Sequence, residues 1–150
     1  MNTLARQRDR AEILHRLRRL GPECERRWGR MTVHQMVCHL SDACRMALGE
    51  TPASPASGIM RRTMIKWIAL YAPMQWPRGI QTRPEVDQEI AGTRPTEFAA
   101  DIAELEALIH RLSAQTRWPA SHPIFGPLSH AAWLRWGYLH LDHHLRQFGR

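Results

Sequence analysis

The segment from Thr32 to Gly49 has the pattern of one amphipathic helix with clear end signals, and it constrains the fold more than any other feature of this sequence. Thr32 and Gln35 stand three residues apart, the spacing at which a hydroxyl and an amide form a capping box at a helix N-terminus. Apolar residues then recur at intervals of three and four, and Gly49 supplies a stop. These residues are Val33, Met36, Val37, Leu40, Ala43, Cys44 and Ala47. The segment predicts an amphipathic helix with one buried face.

The rest of the chain repeats this helical pattern and shows no sustained strand alternation. Further helices are predicted from about Leu4 to Leu20, from Ile59 to Ala72, from a first turn containing Pro95 to about Leu112, and from the N-cap Ser129 to near Gly149. Proline, glycine and serine predict loops over residues 51–58, 73–84 and 117–127. The length of 150 residues suits one domain. We therefore expect an all-α fold, a four-helix bundle over residues 1–150 with an additional short helix and long connecting loops.

Charge, apolar segments and cysteine content indicate the compartment of the protein and the partners that it binds. The net charge is +7 and Lys66 is the single lysine, but the arginines are spread along the chain and acids interleave with them, which argues against a nucleic-acid-binding face. The longest apolar region, Met64 to Trp76, is interrupted and too short for a bilayer. Three cysteines without a CxxC pair suit reduced thiols. We expect a cytoplasmic protein that binds neither nucleic acid nor membrane.

Histidines carry the strongest chemical signal. The last predicted helix contains His140 and His144, which stand one turn apart on the same face, the spacing at which two imidazoles can share a metal ion. His39, at the border of the apolar stripe of the second predicted helix, is the candidate third ligand. An all-imidazole site suits zinc, nickel, iron or manganese, and zinc is the default expectation. Helices also carry such pairs as surface or core histidines, so spacing leaves a structural reading open.

Four further residues are candidates for supporting the site. Asp42 lies one turn after His39 and Gln147 one turn after His144, where they could orient the ligands. Trp76 in the long loop and Trp133 on the histidine stripe are candidates for pocket lining. The weaker ligand candidate is His34, in a first turn. Structural or solvent-facing roles are expected for the remaining histidines, His15, His110, His122, His130 and His143. No general base is evident.

Several of these residues also resemble a known family. The run His-Leu-Asp-His-His-Leu-Arg-Gln at 140–147 resembles the H-x-x-H-H-x-x-Q signature of the DinB/YfiT-like superfamily. Residues 28–32, Gln35-Met36, His39, His122-Pro123 and residues 125–128 resemble its DUF1569 branch, and the similarity runs from about Trp28 to the C-terminus. Where the superfamily's better-known pattern has Arg-Gly after the paired histidines, this chain has Leu145-Arg146.

The resemblance implies a specific site, and of the two chemistries that an open metal site allows, hydrolysis and thiol activation, it favours the second. In the superfamily, one histidine of the second helix and an i, i+4 pair of the last helix bind a divalent ion; by position these are His39, His140 and His144. It also implies an up-down-down-up bundle, often a homodimer, and relatives that transfer low-molecular-weight thiols such as bacillithiol or mycothiol. A thiol transferase or a small-molecule hydrolase is therefore expected. The alternatives are a basic bundle with structural histidines that binds nucleic acid or protein, and a metal site without catalysis.

Overall fold

Helices and the loops between them make up the part of the chain that the structure, a computed structural model, describes: residues 1–52, 66–72, 74–79 and 83–150. The helices are α1 (Gln7–Leu17), α2 (Val33–Leu48), α3 (helical at 66–71), α4 (Phe98–Ala114) and α5 (His130–Gln147), with a 3-10 turn at Pro84–Val86. These residues contain no strand, only an isolated bridge between His122 and Gly126. The prediction of an all-α fold is confirmed.

Local hydrogen bonds set the ends of the helices. Thr32 and Gln35 form the predicted capping box, and Gly49 ends α2 with a φ of 79°, a conformation that glycine adopts at little cost. Ser129 caps α5 as predicted.

Two predicted helix starts are wrong. The first helix begins at Gln7 rather than Leu4, because Asp9 accepts a hydrogen bond from the amide of Thr3 and residues 3–6 form a turn. The fourth helix begins at Phe98, because the Glu97 side chain caps it by accepting from the next free amides, so Pro95 precedes the helix. Most of the predicted 51–58 loop, the start of the helix predicted from Ile59, and Pro73 lie outside the described residues.

Contacts between helices place α2 beside both α4 and α5, and α1 beside α5. Tyr138 of α5 donates a hydrogen bond to Glu12 of α1, and Arg16 pairs with Asp142 one turn further along both helices, so α1 and α5 run side by side in the same direction. Gly137 leaves room for the turn before α1 to pack on α5, since a Cβ there would lie 2.9 Å from the Leu4 side chain. The described helices include none with the length and apolar character needed to cross a lipid bilayer.

A continuous core of buried apolar side chains joins these helices. It includes Leu14, Leu17, Met36, Leu40, Leu70, Leu108, Leu112, Leu134 and Leu145. The two cysteines of α2, Cys38 and Cys44, are buried as the sequence indicates, and burial raises the pKa of each thiol to about 12. The core holds α2 and α5 against each other, and their shared face carries the histidines described next.

Candidate metal centre

Three histidines from two helices converge between α2 and α5. One nitrogen from each of His39, His140 and His144 lies within 4.8 Å of the others, and the Nε2 atoms of His39 and His140 are 3.2 Å apart. The rings meet edge to face, with centroids 4.7 to 5.1 Å apart. The arrangement brings together the three residues that the sequence singled out as candidate ligands.

Hydrogen bonds on the far side of two rings fix where their lone pairs point. The Nδ1 atom of His39 lies 2.7 Å from the Val86 carbonyl oxygen, which can only accept, so His39 carries its proton on Nδ1. The Nδ1 atom of His144 lies 2.9 Å from Oε1 of Gln147, whose Nε2 donates to the Trp28 carbonyl. The Nε2 atoms of His39 and His144 therefore each carry a free lone pair, and an imidazole binds a metal through such a nitrogen.

Burial keeps the three imidazoles neutral. It lowers the pKa of His39 below its usual range. It also holds the pKa values of His140 and His144 well below that range, and the other histidines of the cluster lower them further. Neutral imidazoles retain the lone pairs that a cation requires, so the electrostatics fit a metal site.

The two predicted orienting residues have different roles in the structure. Gln147 binds His144 directly, as the one-turn spacing suggested. Asp42 does not bind His39: its buried carboxylate accepts from Gln88 Nε2 at 2.9 Å and from the amide and hydroxyl of Thr93 at 2.7 and 2.6 Å. Asp42 thus holds the 84–93 segment, whose Val86 carbonyl orients His39. Sequence spacing could not reveal that carbonyl, because it lies 47 residues from its partner.

A cavity of about 970 Å³ adjoins the histidines. Apolar and aromatic side chains dominate its described lining, among them Met31, Met46, Ile68, Trp76, Phe125 and Trp136. The rings of Trp76 and Trp136 stand 6.0 and 5.2 Å from that of His140. Trp133, the other predicted lining residue, is fully buried in the core, stacked on Trp118 at 5.5 Å, and does not line the cavity.

Two histidines given structural roles at the sequence level also line this cavity. His122 is held at Nδ1 by the amides of Ile124 and Phe125, and burial lowers its pKa to about 3. His143 is 9% exposed, and burial lowers its pKa to about 4. The high number of histidines in the chain was the sequence signal that could have pointed to these two residues. Helical spacing separates His143 from the pair by about 100° or less, too little to place it outside the site.

A second cluster of ligand-type side chains joins α2 to the start of α4. His34, Cys38 and Asp101 offer atoms within 4.8 Å of one another. Asp101 is already engaged, because it hydrogen bonds His34 at 2.6 Å and accepts from the amide and hydroxyl of Thr96. We interpret this cluster as a helix-start network that fastens α4 to α2.

The cluster of His39, His140 and His144 differs because its metal-binding nitrogens lie close together beside a cavity. Three neutral imidazoles leave coordination positions free on a tetrahedral or octahedral ion, the feature that distinguishes catalytic from structural zinc sites. The donor set therefore fits a divalent cation, and the cavity offers room for a small molecule beside it.

Comparison with known protein families gives a match over nearly the whole chain. The sequence profile of a family described as "Protein of unknown function (DUF1569)" matches residues 4–150. Neither curated proteins nor solved structures show a significant match to the chain. Because the profile covers nearly the whole chain, the protein belongs to the DUF1569 family.

Proposed function

We propose that this protein binds one divalent metal ion through His39, His140 and His144 and acts as an enzyme on a small molecule held in the adjoining cavity. The observation that carries the proposal is the convergence of three neutral imidazoles, two of them with the proton fixed on the far nitrogen. Among the described residues, the Nε2 atom of His39 meets only Nε2 of His140, at 3.2 Å, and a cation would bind both nitrogens together with the lone pair of His144. Buried polar clusters that lack such a partner are costly.

The chemistry follows from the free positions on the ion. A metal bound by three imidazoles lowers the pKa of a bound water or thiol, which supplies a nucleophile at neutral pH. Transfer of a low-molecular-weight thiol to an electrophile is our first candidate reaction, and hydrolysis of a small electrophile is the second. Zinc is the first candidate metal, with nickel, iron and manganese as alternatives.

We extend the proposal to a DinB-like, up-down-down-up bundle located in the cytoplasm. Matched contacts support the order of directions. Besides the parallel α1 and α5, α2 and α4 run parallel, because His34 pairs with Asp101 and Arg45 pairs with Glu104. His39 meets His140 where α2 passes α5. The three free cysteines suit a reducing compartment.

Metal analysis of the purified protein tests the proposal. We expect close to one equivalent of metal per chain by plasma mass spectrometry, and its loss in His39→Ala and His144→Ala. His110→Ala is the matched control, since His110 is exposed on α4. A wild-type protein that holds no metal and takes up none of zinc, nickel, iron or manganese would refute the proposal.

A further inference from the structure

The segment of residues 27–29, before α2, packs against the last turn of α5. The Arg27 amide donates to the Gln147 carbonyl at 2.7 Å, and the Gln147 side chain donates from Nε2 to the Trp28 carbonyl at 2.9 Å. The Oε1 atom of the same side chain lies 2.9 Å from Nδ1 of His144. Gln147 is 3% exposed. One buried amide therefore joins this segment to a proposed ligand of the metal ion.

Gly29 permits this contact because it has no side chain. Its φ is 78°, a backbone conformation that residues with a side chain rarely adopt. A Cβ built at this position would lie 2.6 Å from Nε2 of Gln147 and 3.8 Å from Cδ of the same side chain. A carbon and a nitrogen that are not bonded to each other do not approach to 2.6 Å without strong repulsion. A methyl group at position 29 and the Gln147 amide therefore exclude each other.

The Gln147 amide would move before the backbone does. The Gly29 carbonyl accepts from Nε of Arg26 at 3.0 Å, and the Arg27 amide is bonded to α5. These bonds fix the backbone on both sides of the clash, whereas Nε2 lies at the end of a flexible side chain. Its displacement breaks the bond to the Trp28 carbonyl and turns Oε1 away from His144. A side chain at position 29 thus acts on His144 through Gln147.

Gly79 provides a matched comparison in the same cavity. Like Gly29, it lines the cavity, is exposed, and has a φ of 78°. A Cβ at Gly79 would meet no atom of the described residues within 4 Å. Replacement by alanine therefore strains the backbone equally at both positions, and only the alanine at position 29 displaces Gln147.

We infer that Gly29 is a positioning residue of the candidate metal centre. Because position 29 has no side chain, the Gln147 amide binds the Trp28 carbonyl and His144 together and holds that imidazole facing the other two ligands. Contacts that orient a histidine ligand from behind typically change metal affinity by 10- to 100-fold. The inference deepens the proposed function and rests on it for the link with the ion.

Zinc titration against a chelating indicator tests the inference. We expect Gly29→Ala to weaken zinc binding about tenfold, because an orienting contact is lost. Gly79→Ala, with the same backbone strain, should keep the wild-type affinity. In a Gln147→Ala background, where the amide is absent, Gly29→Ala should cause no further loss. Equal losses from Gly29→Ala in both backgrounds, or equal losses from the two glycine substitutions, would overturn the inference.

A second readout uses the metal-free protein and does not depend on the proposed function. In ¹H–¹⁵N NMR spectra, the Gln147 side-chain NH₂ signals should shift and exchange faster with solvent in Gly29→Ala and stay unchanged in Gly79→Ala. Unchanged signals in both variants would refute the role of Gly29. In the wild type, this NH₂ group should exchange more slowly than that of the exposed Gln7, and equal rates would refute the contact itself.

The two readouts separate failure of this inference from failure of the proposed function. A wild type that binds no metal, together with shifted Gln147 signals in Gly29→Ala, would refute the proposed function and support the action of Gly29 on Gln147. A wild type that binds zinc, together with full zinc affinity in Gly29→Ala, would refute the positioning role and support the metal site.

Discussion

Replacing Asp42 by asparagine tests how the site is supported from a distance. The Asp42 carboxylate is 6% exposed and accepts three hydrogen bonds from Gln88 and Thr93, besides its ion pair with Arg45. These bonds fasten the segment whose Val86 carbonyl orients His39. An asparagine keeps one acceptor oxygen and turns an NH₂ group toward donors that need an acceptor. We expect a loss of stability together with weaker metal binding.

The size of both effects follows from these bonds. A hydrogen bond to a charged group contributes about 1.5–3 kcal/mol, and the asparagine loses at least one while leaving a buried donor unpaired. We expect a loss of about 3 kcal/mol in the free energy of unfolding. For a chain of this length, that corresponds to a fall of about 6–12 °C in melting temperature. Metal affinity should fall about tenfold, because an orienting contact of a ligand is loosened.

The assay compares Asp42→Asn with Asp142→Asn by urea denaturation of the metal-free protein and by zinc titration against a chelating indicator. Asp142 is the control, because its carboxylate is also mostly buried, at 20% exposure, but pairs with Arg16 and Arg146. Its replacement should also lower stability, because Arg16 is only 14% exposed, but it should leave zinc affinity unchanged. Equal effects of the two substitutions on both measurements would refute the reasoning.

Two further predictions concern residues around the histidines. Because the fold holds His122 neutral with a pKa of about 3, while the unfolded chain takes up a proton below about 6.5, stability should fall as pH drops between these values. From pH 7 to 5, the metal-free wild type should lose about 2 kcal/mol more than His122→Asn, at about 1.4 kcal/mol per pKa unit; equal losses in urea denaturation would contradict the pKa. Gln147→Leu removes the acceptor from His144 and should weaken zinc binding about 10- to 100-fold, whereas Gln147→Glu keeps an acceptor and should weaken it less. Zinc affinity in Gln147→Leu equal to that of the wild type would show that the contact has no orienting role.

Local signals were sufficient to predict much of the fold. The capping box at Thr32, the stop at Gly49 and the N-cap Ser129 are encoded within a few residues, and each lies where the sequence placed it. The helix starts at Leu4 and Pro95 were wrong, because the side chains of Asp9 and Glu97 bind backbone amides near the true starts, outside the periodic pattern. Periodicity shows which face is buried, but side-chain bonds to backbone amides help to decide where a helix begins.

In the site, too, the sequence predicted the local contacts but not those made by distant segments. Helical spacing was enough to bring His140 and His144 together, and Gln147 to His144, since all three share one helix. The carbonyl that orients His39 and the loop that carries His122 are brought in by tertiary packing, which spacing does not encode. Trp133 shows what helical spacing cannot predict. One face of α5 contacts both the core and the cavity, and spacing does not tell which of the two a side chain on that face contacts.

The hydrogen bond between the Arg27 amide and the end of α5 makes local opening near the site measurable. The Arg27 amide donates to the Gln147 carbonyl at 2.7 Å, while the Gln147 side chain joins Trp28 to His144. The last turn of α5 and the segment of Arg27 and Trp28, which lines the cavity through Trp28, should therefore open together, as one cooperative unit of the native state. Hydrogen exchange at the Arg27 amide measures the free energy of that opening. An ion bound to His144 should slow this exchange, and the protection gained would measure the coupling between the metal and this part of the cavity wall.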